Sequence, residues 1–190
     1  MTVWFTADTH WGHTNIIKHA SRPFSSTREM DETLIQNWNA VVGAKDTVYH
    51  LGDVGLCSPG LLNRILGQLN GHIFLIQGNH DRTTISPQCR GRFKGISCLM
   101  EARFPDPSAP RGERTIILCH YAMRVWNKRH WGSWHLYGHS HGKLPEDPQS
   151  LSFDVGVDAH GYRPISFKQV SYRMGQKTNG FKHHDRKVDT

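Results

Sequence analysis

The chain has 190 residues, 37% of them hydrophobic and 21% charged, which is enough for one domain with a buried core of its own. Mean hydropathy is −0.56, and apolar runs are no longer than Ile73-Phe74-Leu75-Ile76, far short of the roughly 18 residues that a membrane span needs, so a transmembrane helix is excluded. The net charge of +7 invites a nucleic-acid reading, but residues 168–190 carry six Lys/Arg against two Asp, and only +3 remains for the body.

The first residues lack the basic, apolar and small-residue sequence of a secretion signal, and the chain reads as cytoplasmic. Cys57, Cys89, Cys98 and Cys119 form no CxxC pair, so reduced thiols are expected. Histidine is the anomaly: there are fourteen, and imidazole is the side chain most suited to metal ligation and to proton transfer near neutral pH.

Val3-Trp4-Phe5-Thr6-Ala7 reads as a short buried strand that runs into Asp8-Thr9-His10 and a turn at Gly12. Ser26-Thr27-Arg28-Glu29 has capping-box spacing, and Met30, Leu34, Trp38 and Val41/Val42 then recur at helical intervals up to Gly43. Thr47–Leu51 is a second strand, ending in Gly52-Asp53. Ser58-Pro59 opens a helix with Leu61, Leu62, Ile65, Leu66 and Leu69 inward and Gly71 as its stop. His72–Ile76 is a third strand, ending in Gly78-Asn79-His80-Asp81, and residues 82–93 show no clear period.

Ile96–Phe104 and Arg114–Leu118 read as two strands joined by a loop with three prolines, the second ending at His120. A loop rich in aromatic and basic residues follows, from Tyr121 to Trp134, and His135-Leu136-Tyr137 then leads into Gly138-His139-Ser140-His141. Ser152–Val157 and Ile165–Arg173 are expected to close the sheets. Residues 1–174 form the domain, and 175–190 a basic, poorly ordered tail containing Lys177, Lys182, His183, His184, Arg186 and Lys187.

Five strand-like runs thus end in metal-binding residue types: Asp8 with His10, Asp53, Asn79 with His80, His120, and His139 with His141. Sites in α/β sheets form at the carboxyl ends of strands, so five endings can share one pocket. Seven oxygen and imidazole donors exceed one tetrahedral ion but suit two ions bridged by a carboxylate, and Asp53 has two oxygens to offer.

The ordered set resembles the calcineurin-like metallophosphoesterase superfamily, whose pattern is D-x-H, GD, GNH followed by an acid, a lone H, and GHxH. Phe5–His13, Arg22-Pro23-Phe24 and His135–Gly142 look like a short, cap-free prokaryotic branch of it. The resemblance covers about residues 3–165 and implies an α/β fold, a two-sheet β-sandwich flanked by helices. It implies that Asp8, His10, Asp53 and His141 hold one metal and Asp53, Asn79, His120 and His139 the other. Such mixed donors favour manganese, placed first, or iron, zinc, cobalt or nickel over calcium and magnesium. It further implies that His80 is the general acid and that Asp81 orients its ring. Gly52, Gly78 and Gly138, ahead of ligands at sharp turns, are expected to serve backbone conformation.

His13 is read either as a contact to phosphate or an outer-shell water, or as a cap on a helical turn near Thr14. Arg22 is a candidate substrate contact with a surface ion pair as the alternative. His50, His72, His135 and His160 are read as core or supporting histidines. The 121–134 loop has two readings, one folded on its own tryptophans and one that stacks bases and binds phosphates. The activity expected is phosphodiester hydrolysis on a nucleotide-like substrate, with nucleic acid weakly indicated. A phosphomonoesterase and a non-catalytic metal-binding scaffold are the alternatives.

Overall fold

The computed structural model describes residues 1–109 and 111–180. Two sheets face each other. The first comprises β1 (Val3–Thr6), β2 (Thr47–His50), β3 (His72–Ile76) and β4 (Phe93–Ser97), all parallel, with the two-residue β9 (Ile165–Ser166) antiparallel to β1, in the order β4-β3-β2-β1-β9. The second comprises β5 (Leu99–Pro105), β6 (Glu113–Cys119), β7 (Trp134–Tyr137) and β8 (Ser152–Asp154); β5 is antiparallel to β6, and the other pairings are parallel.

Side-chain alternation along the strands sorts the apolar residues into two layers. Phe5, Ala7, Leu51 and Ile76 meet Phe104, Ile116, Leu118, Leu136 and Phe153 between the sheets. Val48, Ile73 and Leu75 point the other way, onto Met30, Leu34 and Trp38 of α2 (Thr27–Val41) and onto Leu62, Ile65 and Leu66 of α3 (Pro59–Leu66). The short α1 (Thr14–His19) adds Ile16 to this layer. Ser26 accepts from Glu29 N and Ser58 from Leu61 N, so both longer helices begin at the expected caps. α3 stops at Leu66, with Gly67 as its C-cap rather than Gly71.

Two strand expectations are corrected. Ile96–Phe104 is not one strand: β4 ends at Ser97, Cys98 turns the chain, and β5 enters the other sheet. A continuous run of strand-forming residues hides a change of sheet, because alternation persists on both sides of the turn. Ile165–Arg173 is a strand only to Ser166. α4 (Phe167–Gly175) follows, started by a reciprocal capping box between Ser166 and Gln169, and it buries Val170 and Met174, four residues apart, beneath the second sheet's aromatic residues. Ser152–Val157 also ends its strand early, at Asp154.

Past α4, Thr178 N donates to Pro148 O at 2.9 Å and Gly180 N to Gln149 O at 2.9 Å. The rest of the expected tail, with Lys182, His183, His184, Arg186 and Lys187, lies outside the described residues. All four cysteines are free thiols, and no helix among the described residues is long and apolar enough to cross a membrane.

Candidate metal centre

The carboxyl ends of β1, β2, β3, β6 and β7 open on one edge of the sandwich. Beyond the strands the chain keeps its pairing: Asp8 N donates to Gly52 O at 2.9 Å, His10 N to Asp53 O at 3.0 Å, and Gly138 N to His120 O at 2.9 Å. These bonds bring Asp8, His10 and His141 together in one group and Asp53, His120 and His139 in another, the donor atoms of each group lying within 4.8 Å of one another. Asp53 Oδ2 stands between the groups, 3.5 Å from His10 Nε2 and 3.6 Å from His120 Nε2. Asn79 Oδ1 is 3.2 Å from His120 Nε2, and the His80 ring lies 5.6 Å from that of His10.

Five of these residues have left-handed backbone: Asp8 (φ 56°), His10 (52°), Asp53 (55°), His139 (65°) and His141 (49°). Side chains rarely adopt that conformation, at about 1–3 kcal/mol each, and it persists only where the surroundings over-determine it. The expectation for the glycines is thereby revised. Gly52 does need its freedom (φ 90°), but Gly78 and Gly138 are required for space. A Cβ on Gly78 would stand 2.3 Å from Asp53 Oδ1, and one on Gly138 would stand 2.6 Å from Asp8 Oδ2.

The donor set is short of positive charge. Asp8 is fully buried, and burial, then the charges of Asp154 and Asp53, push its carboxyl well above the usual range. Burial, then His141, Arg22 and His13, push His10 down to about 2, so its imidazole is neutral with a lone pair to give. Asp8 Oδ1 and His10 Nε2, both buried, have no hydrogen-bond partner among the described residues. Orphaned donors and acceptors of this kind are costly unless a ligand satisfies them. Clustered carboxylates with neutral imidazoles and unpartnered lone pairs fit divalent cations.

A surrounding set of bonds aims the imidazoles. His120 Nδ1 donates to Leu51 O at 2.7 Å, leaving Nε2 as the lone-pair side. His141 Nδ1 is 2.7 Å from Asp158 Oδ2, and His10 Nδ1 is 3.2 Å from His13 Nδ1. Asp158 also takes a two-point pair from Arg22, Nε to Oδ1 at 2.8 Å and Nη2 to Oδ2 at 2.9 Å. Burial alone would raise the Asp158 carboxyl, but the bonds from His141 and Arg22 prevail and hold it below its ordinary value. The remaining Arg22 donors reach Thr9 O and Asp8 O. Arg22, 4% exposed, thus has its donors engaged beneath the Asp8–His10 turn, in line with the ion-pair alternative to a substrate contact, although the pair is buried rather than at the surface.

His13 occupies the N-cap position of α1 without a side-chain capping bond, its Nδ1 turned to His10 instead. The buried Asp81 carboxylate accepts from Asp53 N (2.9 Å), Val54 N (2.9 Å) and Gly78 N (2.7 Å), so both oxygens tie the Asp53 and Gly78 loops together. Asp154, missed in the sequence, accepts from Gly142 N and Gly156 N and from the Ser140 hydroxyl, shaping the loop of His139 and His141. Asp158 was missed too. The available signal was an acid at the end of β8, the third parallel strand of the second sheet, in Phe153-Asp154-Val155-Gly156-Val157-Asp158.

His50 Nε2 faces Thr9 Oγ1 at 2.9 Å, and Thr9 Oγ1 donates onward to Val54 O, a supporting role between two ligands. In the 121–134 loop, Trp126 and Trp134 are buried, but Trp131 is 74% exposed.

Comparison with known proteins agrees with this geometry. The calcineurin-like phosphoesterase family matches residues 1–182. The uncharacterized protein MJ1445 of Methanocaldococcus jannaschii is 33% identical over 176 residues, 88% of each chain. The Gene 66 protein of Mycobacterium phage L5 is 28% identical, over 83% of this chain and 87% of its own. The crystal structure of AQ665, a protein of unknown function from Aquifex aeolicus, superposes with a TM-score of 0.66 at 21% identity, covering 90% of this chain and 98% of that one, a likeness of fold. With the family matched across nearly the whole chain and its ordered ligand types gathered at one sheet edge, the chain belongs to the calcineurin-like phosphoesterases.

Proposed function

We propose that the chain is a phosphodiesterase that works with two divalent transition-metal ions, manganese first among them. Asp8, His10, Asp53 and His141 would hold one ion, and Asp53, Asn79, His120 and His139 the other. When bound, such ions supply positive charge to the phosphoryl oxygens and make a coordinated water acidic enough to attack phosphorus. The observation that carries the reading is Asp53 Oδ2, within 3.6 Å of an imidazole nitrogen from each group. His80 N donates to Asp53 Oδ1 at 2.8 Å, which reserves Oδ2 for the space between the groups.

The His80 imidazole, across from His10 and His13, is assigned the proton delivered to the leaving oxygen as its bond to phosphorus breaks. Preference for a diester follows from charge. Arg22, the arginine that bears on His10 and His13, has its donors committed to Asp158 and to the Asp8 and Thr9 carbonyls. A monoester dianion calls for an additional free cation, whereas a singly charged diester, nucleotide-like and exposed, does not.

The test compares bis(p-nitrophenyl) phosphate with p-nitrophenyl phosphate on metal-stripped chain reloaded with manganese, zinc, iron, cobalt or nickel. Asp53→Ala, which should retain neither ion, is the blank. Faster diester cleavage, absent in the blank, is expected. Faster monoester cleavage would make the chain a phosphatase, and bound metal without turnover would make it a scaffold.

A further inference from the structure

Another feature lies on the second sheet, apart from the candidate ligand cluster. β5 and β6 pair Arg103 with Thr115 and Phe104 with Arg114, while the end that delivers His120 is marked by Leu99 opposite Cys119. Thr115 to His120 is five residues of strand and turn, about 17 Å. There, a cavity of about 480 Å³ is lined by Arg103, Arg111, Arg114, Lys128 and Trp131, with Glu113 as the lone carboxylate among its lining residues.

Three guanidiniums and an ammonium thus face one hollow against a single lining carboxylate, and a cleft with an excess of one sign of charge concentrates the opposite sign. Arg114 is held in place: Nε donates to Asp106 Oδ2 at 3.0 Å, and its guanidinium lies over the Trp134 ring at 4.5 Å. Lys128 is paired with Glu101 at 2.7 Å. Arg103 and Arg111 are exposed, and although Arg103 bears electrostatically on Glu101, neither is held by a hydrogen bond or ion pair among the described residues, so their planar forks can meet phosphate oxygens two at a time.

Trp131 completes the site. It ends a short helical turn, Arg129–Trp131, bracketed by two left-handed residues, Lys128 (φ 60°) and Gly132 (φ 86°). Lys128 bears the strain of a conformation glycine would adopt freely, and the result is an indole 74% exposed at the rim of a cationic hollow. The loop beneath is firm, since Trp126 is buried and its Nε1 donates to Ser133. An exposed flat ring on a rigid loop, beside open arginines, is the pairing by which proteins hold a base and its phosphate.

We infer that this cavity binds a nucleotide unit, its base on Trp131 and its phosphate on Arg103, Arg111 and Arg114. The unit is either free or part of a single strand. The site is separate from the metal centre and does not depend on the reading of the activity given above.

The test uses the full chain in EDTA, with tryptophan fluorescence and calorimetry, against 5′-AMP, a 5′-phosphorylated oligothymidine, adenosine and inorganic phosphate. AMP should quench the fluorescence and bind at least tenfold more tightly than adenosine or phosphate. Arg103→Ala with Arg111→Ala, both at exposed positions, should weaken AMP about tenfold or more, and Trp131→Ala should do the same and remove the quenching, with melting temperatures unchanged. Asp53→Ala should leave AMP binding as it is. An oligothymidine that binds more than tenfold tighter than AMP, with a steeper salt dependence, identifies the strand as the source, and equal binding identifies the free nucleotide; both support the site. The inference is overturned if no nucleotide binds, if phosphate binds as tightly as AMP, if the arginine or tryptophan variants bind like the parent, or if Asp53→Ala abolishes binding.

Discussion

His10 and His13 face each other through their Nδ1 atoms at 3.2 Å. Only one of the two nitrogens can carry the proton. If His10 gives its Nε2 lone pair to a metal, its proton sits on Nδ1 and is donated to His13, whose own proton is then on Nε2. His13 would thereby set the tautomer of His10, as Leu51 O does for His120 and the Asp158 carboxylate for His141. His13→Ala should weaken the ion held by Asp8, His10 and His141 by about 10–100-fold while sparing the other, as read by metal content after graded chelation. His13→Asn, which retains an acceptor near the Nδ1 position, should recover part of the loss. Equal affinity in His13→Ala would remove this role.

Arg22 separates a bracket from a substrate contact. Its guanidinium is buried, with donors on Asp158 and on the carbonyls of Asp8 and Thr9. Removing one partner of a buried pair leaves the other charge stranded, so Arg22→Ala should cost about 3–5 kcal/mol of stability, read by urea unfolding. For the fraction that remains folded, KM should change little. A rise in KM at undiminished stability would return Arg22 to the substrate.

The strand-end residues of the centre were legible because their signal is local: a donor side chain directly after an apolar run, often behind a glycine. Asp8, Asp53, His120 and His139 have that form, and His10 and His141 follow two residues after Asp8 and His139. What was hidden depends on the third dimension. The passage from β4 to β5 at Cys98 keeps the alternation of a single strand, so nothing local marks the change of sheet. The helical spacing of Val170 and Met174 was masked by β-forming neighbours, although the Ser166–Gln169 cap stood in plain view. The space needed at Gly78 comes from Asp53, 25 positions earlier, and the buried fork of Arg22 from Asp158, 136 positions later. Neither partner is readable from its neighbours.

Asp81 and His80 are adjacent yet should fail differently. Asp81 holds three backbone N–H groups of the Asp53 and Gly78 loops. Asp81→Asn presents an amide to at least one of them, and a buried donor without an acceptor costs about 1–3 kcal/mol. Stability and metal retention should fall together, and the turnover of protein that is still loaded should hold. His80→Gln should keep both ions and slow turnover about 10²–10⁴-fold on esters with poor leaving groups, with a far smaller effect on p-nitrophenyl esters, whose leaving oxygen needs no proton. Full activity of His80→Gln on a poor leaving group would end the general-acid assignment.

His135 provides a pH dependence remote from the ligands. It is fully buried in β7, Nδ1 donates to Ile117 O at 3.0 Å, and Nε2, also 3.2 Å from Tyr121 O, accepts from Met123 N at 3.1 Å in the neutral ring that burial favours. Burial lowers it to about 4, against the partial opposition of the Ile117 and Tyr121 carbonyls. Between that value and the ordinary 6.5 the unfolded chain binds a proton that the folded chain refuses, so stability rises with pH across this window and is lost as pH falls through it. The contribution is at most about 3 kcal/mol, at 1.36 kcal/mol per unit. Unfolding of the metal-free chain from pH 7 to pH 4 should show that loss beside the one from buried His10, and His135→Asn, which can still donate toward Ile117 without titrating, should remove the share of His135 and leave the rest. In nitrogen-15 spectra the ring should remain an Nδ1–H tautomer down to about pH 4; protonation near 6.5 would show that the 121–134 loop opens far enough to hydrate it.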